Sequence, residues 1–489
     1  MAIIGIDIGT QSLKVVVTDP GLKVLGEASE AYEPSFPRPG WAEQDPRLWE
    51  RALGPGIAAA LKAAGLAPRR IEALGVAGQL DGCVPVGADG APLGPCLIWM
   101  DRRAAAEVKG FSAADIRQKT GINVDPSHMA AKIRWLRRHD RGARGATRFH
   151  QPVSYLVARL TGEHVFDHGL ASTTMLYGLA RRDYDPDLLD RFEIDRAWLP
   201  AIADAAACAG RLHGGGGALT GLREGVAVAV GTGDDFSTPL GAGLVAPGRV
   251  ACVLGTAEVV GALDSIARID PEGLIETHGY ANDTFFHENP GWLSGGALAW
   301  FTKVFRLEDV TELDRLAARA GPGAGGVLFF PALSGAMAPE WNAAARGAFY
   351  GLTPAHDAAH MARAVLEGCT FAMRDVIARL RDMGVKMDAL LLLGGGAKSA
   401  VWSRIRADAT GLAAEVPDRV DTSPLGTAML AAVAGGLQPN LSACAALVGA
   451  SGKRVEPNRA ARPAYDEAYA GYRRLFDSLR PMFVQGRPI

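Results

Sequence analysis

The chain opens on an apolar, β-branched run from Ile3 to Ile8, interrupted by Asp7, and resumes after a short polar turn as Leu13 to Val17. Apolar runs on both sides of Gly9-Thr10-Gln11 predict two strands joined by a tight turn. Such a turn sets one carboxylate and several backbone N–H groups at the end of a buried strand, where phosphate and hydrated Mg²⁺ can be held together. An ordinary hairpin in which Gly9 merely supplies the turn fits the same residues. From Trp49 to Leu66 apolar residues recur at helical spacing, and Ile71 to Ala77 reads as a strand ending at Gly78-Gln79. Strand and helix patterns continue to alternate, the signature of an α/β protein.

Gly214 to Gly217 read as a flexible turn, followed by the buried-strand run Val226 to Val230 and the turn Gly231-Thr232-Gly233-Asp234-Asp235. A domain boundary is expected between Leu244 and Pro247, dividing the chain into residues 1–244 and 245–489. Directly after it, Val250 to Val260 repeats the opening design, with Gly255-Thr256 at the turn. The echo suggests a duplicated domain whose two turns face each other across a cleft. A third glycine-rich turn, Gly394-Gly395-Gly396-Ala397, closes the run Leu391 to Leu393 and opens a helix containing Trp402. It suits an anion or a plain strand-to-helix loop, and it lacks the spacing of a P-loop. Tyr465, Tyr469, Tyr472, Phe476 and Leu479 share one helical face, read as a docking face that Pro481 terminates.

Composition limits what these elements serve. The 489 residues allow two or three domains, and a 48% hydrophobic, 21% charged chain with net charge −2 is globular without a basic footprint. Neither a nucleic-acid partner nor an anionic membrane surface is expected, and a small-molecule substrate fits better. Six cysteines stand apart without a C-x-x-C pair, so they read as buried thiols of a reducing compartment. No basic leader or apolar spanning run is visible, and the expected location is cytoplasmic.

With Gly78-Gln79-Leu80-Asp81-Gly82, Trp99-Met100-Asp101-Arg102-Arg103 and Gly231 to Asp235 added to the Gly-Thr turns, the chain resembles the FGGY family of carbohydrate kinases, most closely its xylulokinase branch. The likeness also runs through Gly40-Trp41-Ala42-Glu43-Gln44-Asp45-Pro46, Leu160-Thr161-Gly162-Glu163 and Gly351-Leu352-Thr353. It implies an α/β fold of two actin-like, ribonuclease H-like domains flanking a cleft for ATP and sugar. The implied reaction is ATP-dependent phosphorylation of a terminal hydroxyl of a ketose or polyol, with D-xylulose the first choice and ribulose, ribitol, erythritol or gluconate as alternatives. A non-catalytic nucleotide or sugar sensor on the same scaffold is the reading from outside the enzyme class. A homodimer is admitted by the resemblance but not required.

By motif position, Asp234 becomes the catalytic base and Asp7 the residue that holds Mg²⁺ through water, with Asp234 also near the metal. Thr10, Gln11, Lys14, Gly255 and Thr256 are assigned to the phosphates, and Gly395, Gly396 and Ala397 to the adenine or ribose side. Gln79, Leu80, Asp81, Trp99, Asp101 and Arg103 are assigned to the sugar. Trp99 also fits a core position, and Asp101 with Arg103 a structural ion pair. The family's usual Gln-Met-His-Gly stands here as Gln79-Leu80-Asp81-Gly82, and Ala336-Met337 replaces a Glu-Arg pair. An ionised aspartate only accepts hydrogen bonds where a histidine can donate, so the preference of the sugar pocket is expected to reverse at Asp81.

Overall fold

The computed structural model describes residues 1–449 and 452–483. In the N-terminal half, β1 (Ala2–Ile8), β2 (Ser12–Thr18) and β3 (Val24–Ala31) form an antiparallel meander. Helix α1 (Pro46–Ala64) is capped by the Asp45 carboxylate, ends at the left-handed Gly65, and turns Trp49, Leu53 and Ile57 inward. It leads to β4 (Ile71–Gly78), which pairs parallel to β1. Next come α2 (Met129–His139), α3 (Pro152–Thr161), β5 (Cys208–Arg211), α4 (Gly214–Thr220), β6 (Ala227–Ala229) and α5 (Asp234–Gly241). The sheet runs β5-β6-β4-β1-β2-β3, with the two-residue strand Thr232–Gly233 also on β4.

The second half repeats this plan. Strands β7 (Gly248–Leu254), β8 (Ala257–Asp264), β9 (Glu276–Gly279) and β10 (Phe285–Leu293) are followed by the long helix α6 (Ala358–Asp382). Then follow β11 (Met387–Leu393), α7 (Ala400–Thr410), β12 (Ala413–Pro417), α8 (Ser423–Ala434), β13 (Gly452–Val455) and α9 (Arg462–Leu479). The order is β9-β10-β8-β7-β11-β12-β13. Strand for strand, β10-β8-β7-β11-β12-β13 reproduces β3-β2-β1-β4-β6-β5, with the same antiparallel and parallel pairings and an antiparallel edge at the end. The recurrence of the Gly-Thr turn is therefore a recurrence of topology, and β9 is the strand the first sheet lacks.

Each half has its own apolar core, and a third core lies between them, made by α5 and α8 against the two sheets. Helix α8 sits on β1 because Gly5 leaves room: a Cβ there would lie 1.8 Å from the Pro424 carbonyl oxygen. The residues after Pro247 begin the second sheet, and Leu244 itself is fully buried, its carbonyl accepting from the Tyr280 hydroxyl at 3.2 Å.

Two local expectations are corrected. Gly214 to Gly217 do not form a flexible turn but open α4, whose Gly216 N–H donates to His213 Nδ1 at 3.0 Å. A Cβ on Gly216 would meet the Leu160 carbonyl oxygen at 2.4 Å, so close packing on α3 overrides the low helix propensity of glycine. Cys208 is exposed, whereas the other five cysteines are buried. The tyrosine face of α9 does dock, with Tyr465, Tyr472 and Phe476 buried. Among the described residues no helix is long and apolar enough to cross a membrane.

Candidate active site

The first turn is clamped from three directions. Tyr32 donates its hydroxyl proton to the Gly9 carbonyl at 2.8 Å, and Gln44 Nε2 donates to the Thr10 carbonyl at 2.6 Å. Trp99 Nε1 donates to Thr10 Oγ1 at 3.0 Å, which places the half-exposed indole over the turn rather than in a core. Gln79, at the end of β4, donates to Gln44 Oε1 at 2.6 Å. Gln11 and Thr10 are left at the surface of the cleft, while the Lys14 ammonium reaches Asp421 at 2.6 Å and so ties the first hairpin to the segment ahead of α8.

Asp7 ends β1 almost fully buried, and its Oδ1 has no hydrogen-bond partner among the described residues. Burial pushes its carboxyl up to about 7, with the charge of Asp234 adding to the rise and Lys14 opposing it. Asp234 is the first residue of α5, and one of its own carboxylate oxygens accepts from the Asp235 N–H at 3.1 Å. Burial and the neighbouring Asp235 carry it likewise to about 7, and burial carries Asp235 to about 6. Carboxylates so placed repel one another unless a cation joins them. Among the described residues no cluster of three or more His, Cys, Asp or Glu side chains is built to grip a metal. The unpartnered Asp7 Oδ1 and the neighbouring Asp234 fit Mg²⁺, which keeps most of its waters and needs only one or two protein carboxylates.

Leu80 packs on Gly233, where a Cβ would lie 2.0 Å from Leu80 Cδ2, so the Gln79–Asp81 segment touches the two-residue strand that ends just before Asp234. Asp81 adopts a left-handed backbone (φ 58°), a conformation aspartate tolerates. Its carbonyl accepts from the fully buried Lys132 ammonium at 2.6 Å, and Lys132 also donates to the Ile98 carbonyl at 2.8 Å. Asp81 Oδ1 lies 3.0 Å from His128 Nδ1. Burial works against a charged His128, but Asp81 outweighs it and moves the imidazole to about 9. A histidine, His128, thus stands beside the aspartate that occupies the position of the family's histidine.

Asp101 and Arg103 are spent on each other. Arg103 Nε lies 2.9 Å from both Asp101 oxygens, Asp101 Oδ2 accepts the Ala42 N–H at 2.7 Å, and Arg103 continues to Glu43 at 2.7 Å while lying 3.6 Å over the Trp41 ring. Of the two readings open at these positions, the geometry realises the structural ion pair, which braces the Gly40–Gln44 segment from which Gln44 reaches the first turn.

On the other wall, Gly255 and Thr256 are exposed at the tip of the β7–β8 hairpin. The Gly394–Ala397 turn packs against that tip: a Cβ on Gly396 would lie 2.9 Å from Leu254 Cβ, while around Gly395 the space is open to 4 Å. Ala397 is buried in the second half's core. Behind both turns a buried ion pair joins them, Arg406 of α7 gripping Glu258 of β8 at 2.5 and 2.8 Å. The residues missed from sequence, Tyr32, Gln44, His128, Lys132, Glu258 and Arg406, act through others. Only His128 and Lys132, four apart at the start of a helix, left a readable trace.

Family models fit both halves of the chain: the FGGY family of carbohydrate kinases, N-terminal domain, over residues 2–241, and its C-terminal domain over residues 250–435. The xylulose kinase of Escherichia coli (strain K12) is 31% identical over 488 residues, covering 98% of this chain and 100% of that protein. A solved xylulose kinase from Rhodospirillum rubrum superposes with a TM-score of 0.91 at 29% identity, covering 99% of this chain and all of the other. A gluconate kinase structure from Lactobacillus acidophilus does so with the same TM-score at 26% identity, over 98% of each chain.

Proposed function

This chain belongs to the FGGY family of carbohydrate kinases, and from that premise we propose that it transfers the γ-phosphoryl group of ATP to a terminal hydroxyl of a ketose or polyol, converting D-xylulose to D-xylulose 5-phosphate. The observation that carries the reading is the pair of buried carboxylates Asp7 and Asp234, set at the end of β1 and the start of α5 beside the Gly9-Thr10 turn. Asp234 accepts the proton of the attacking hydroxyl. In a loose transition state that proton becomes acidic late, so a carboxylate of modest basicity suffices, and one raised to about 7 is better matched than one near 4. Thr10, Gln11 and Lys14 from one side and Gly255 and Thr256 from the other receive the phosphates, while the open space at Gly395 admits the nucleoside. Asp7 and Asp234 would hold Mg²⁺, which would supply charge neutralisation on the phosphates. Closure of the cleft excludes water that would otherwise hydrolyse ATP.

The test is ADP release with ATP and Mg²⁺ across D-xylulose, D-ribulose, ribitol, erythritol and D-gluconate. D-xylulose is expected to rank first, and Asp234→Ala to abolish turnover while nucleotide binding persists. A different leading acceptor would revise the substrate alone. Sugar-independent nucleotide binding without turnover would favour a sensor.

A further inference from the structure

Beside the catalytic carboxylates lie two carboxylate–imidazole pairs, one from each half of the chain. The first is Asp81 with His128, whose backbone is pinned by Lys132 and by Gln151 Oε1, which accepts the Asp81 N–H at 3.1 Å. The second is on β9 and β10, where Glu276 and Glu288 are cross-strand partners. There His278 Nε2 lies 3.3 Å from Glu288 Oε1 and 3.9 Å from Glu276 Oε2, and His278 Nδ1 lies 3.3 Å from Ser172 Oγ. The His278 ring packs 5.4 Å from that of Phe236, the residue following Asp235, and the Tyr280 hydroxyl donates to the Phe236 carbonyl at 3.1 Å. Glu276 in turn accepts the Asn123 N–H at 2.9 Å. Strand β9 of the second sheet is thereby bound to the first turn of α5 and to the 121–128 segment of the first half.

Two oxygens in this region are buried without a hydrogen-bond partner among the described residues: Glu288 Oε2, on a side chain 2% exposed as a residue, and Gln79 Oε1, likewise 2% exposed. Buried polar atoms are nearly always satisfied, so two unpartnered oxygens in this region point to a ligand that hydrogen-bonds to them. We propose that the Asp81–His128 and Glu288–His278 pairs are specificity-determining walls of the acceptor site, which they restrict to uncharged polyhydroxylated substrates and close to acid sugars. The proposal rests on the kinase reading above.

A carboxylate beside an imidazole offers an acceptor and a donor together, the complement of a hydroxyl that gives one hydrogen bond and accepts others. Neither pair has positive charge to spare. The His128 imidazolium is balanced by Asp81, while burial and the charges of Asp235, Glu276, Asp234 and Asp81 hold the Glu288 carboxyl well above the usual carboxylate range and burial keeps His278 neutral, at about 3. Lys132 is already engaged by two carbonyls. A substrate carboxylate entering here would meet Asp234 and Asp235 with no free cation from these groups.

The experiment uses the full-length protein with ATP and Mg²⁺, with D-xylulose, ribitol and erythritol as neutral acceptors and D-gluconate as the acid one. We expect kcat/KM for D-gluconate at least about 100-fold below that of the best neutral acceptor, the scale of one unpaired charge in a specific site. In Glu288→Gln and His128→Gln, KM for the neutral acceptor should rise about tenfold with KM for ATP unchanged, the loss of one specific hydrogen bond. D-gluconate turned over within tenfold of the best neutral acceptor overturns the proposal and leaves the kinase standing, as does an acceptor KM within twofold of wild type in both variants. If a variant fails to melt cooperatively, the wild-type comparison decides alone. ADP release with none of the acceptors overturns the kinase reading and this one with it.

Discussion

Removing Arg406 tests whether the nucleotide wall is held from behind. The guanidinium is 1% exposed and grips both oxygens of Glu258, which is fully buried, at 2.5 and 2.8 Å, and it stacks 4.2 Å over Trp402. Arg406→Met keeps the stem and leaves Glu258 with one remaining donor, the Ser294 hydroxyl at 2.7 Å. Breaking one side of a buried pair costs about 3–5 kcal/mol, because the surviving charge stays desolvated. That is a large share of the ~5–15 kcal/mol by which a domain is stable. Glu258 lies two residues beyond Thr256, and α7 begins just after the Gly394–Ala397 turn, so the same loss should loosen both turns of this wall. Urea denaturation resolving the second half's transition should show the deficit, and steady-state kinetics a raised KM for ATP with KM for the sugar little changed. Adding Glu258→Gln should recover part of the stability, since a neutral pair no longer strands a charge. A loss under about 1 kcal/mol, or an unchanged KM for ATP, would refute the account of Arg406 as the brace of this wall.

Lys132→Met strands the carbonyls of Asp81 and Ile98, and at about 1–3 kcal/mol per unsatisfied buried group it should cost about 2–6 kcal/mol in urea unfolding. Gly395→Ala meets nothing within 4 Å, so its stability should stay within about 0.5 kcal/mol of wild type while KM for ATP rises, as a calorimetric melt and a nucleotide titration can check. The raised carboxyl of Asp234 fixes a sign with pH. Between its ordinary value of 3.8 and about 7 the folded protein holds a proton that the unfolded chain has released, so stability without ligands falls as pH rises through that window. Asp234→Asn should therefore abolish turnover yet raise the melting temperature at pH 8, the stabilisation being at most the ~4 kcal/mol that about three pH units represent. Wild-type kcat/KM should lose activity on the acid side of about 7, and a flat profile from pH 5 to 8 would count against Asp234 as the base.

The parts of this molecule legible in its sequence are those where one short segment does one job. The run Ile3 to Val17 is strand, turn and strand because its apolar residues are contiguous and its polar ones cluster at Asp7–Gln11, and the second hairpin could be found by likeness to it. What was illegible depends on partners far away in the chain. Gly214–Gly217 is helical because Leu160 leaves no room for a side chain, a fact written in another helix. Asp101 looks like a sugar ligand until Arg103, Ala42 and Glu43 are seen to consume it. Asp81 looks like a lost histidine until His128, 47 residues on, is folded against it.

Why the catalytic carboxylates belong to the meeting point of the halves follows from the two helices there. Helix α5 begins at Asp234 and α8 at Ser423, so both present their positive N-terminal ends toward the end of β1, where a buried anion most needs compensation. They cross at near contact: a Cβ on Gly241 would lie 2.0 Å from the Thr422 carbonyl oxygen, and one on Gly426 2.1 Å from that of Ser237. Hydrogen bonds from Thr422 Oγ1 to the Thr238 carbonyl at 2.6 Å and between the Ser237 and Ser423 hydroxyls at 2.7 Å lock the crossing. A joint without space between its backbones can rotate but not slide. The locked crossing therefore holds the N-terminal ends of α5 and α8 together, and with them the buried carboxylates of Asp7 and Asp234.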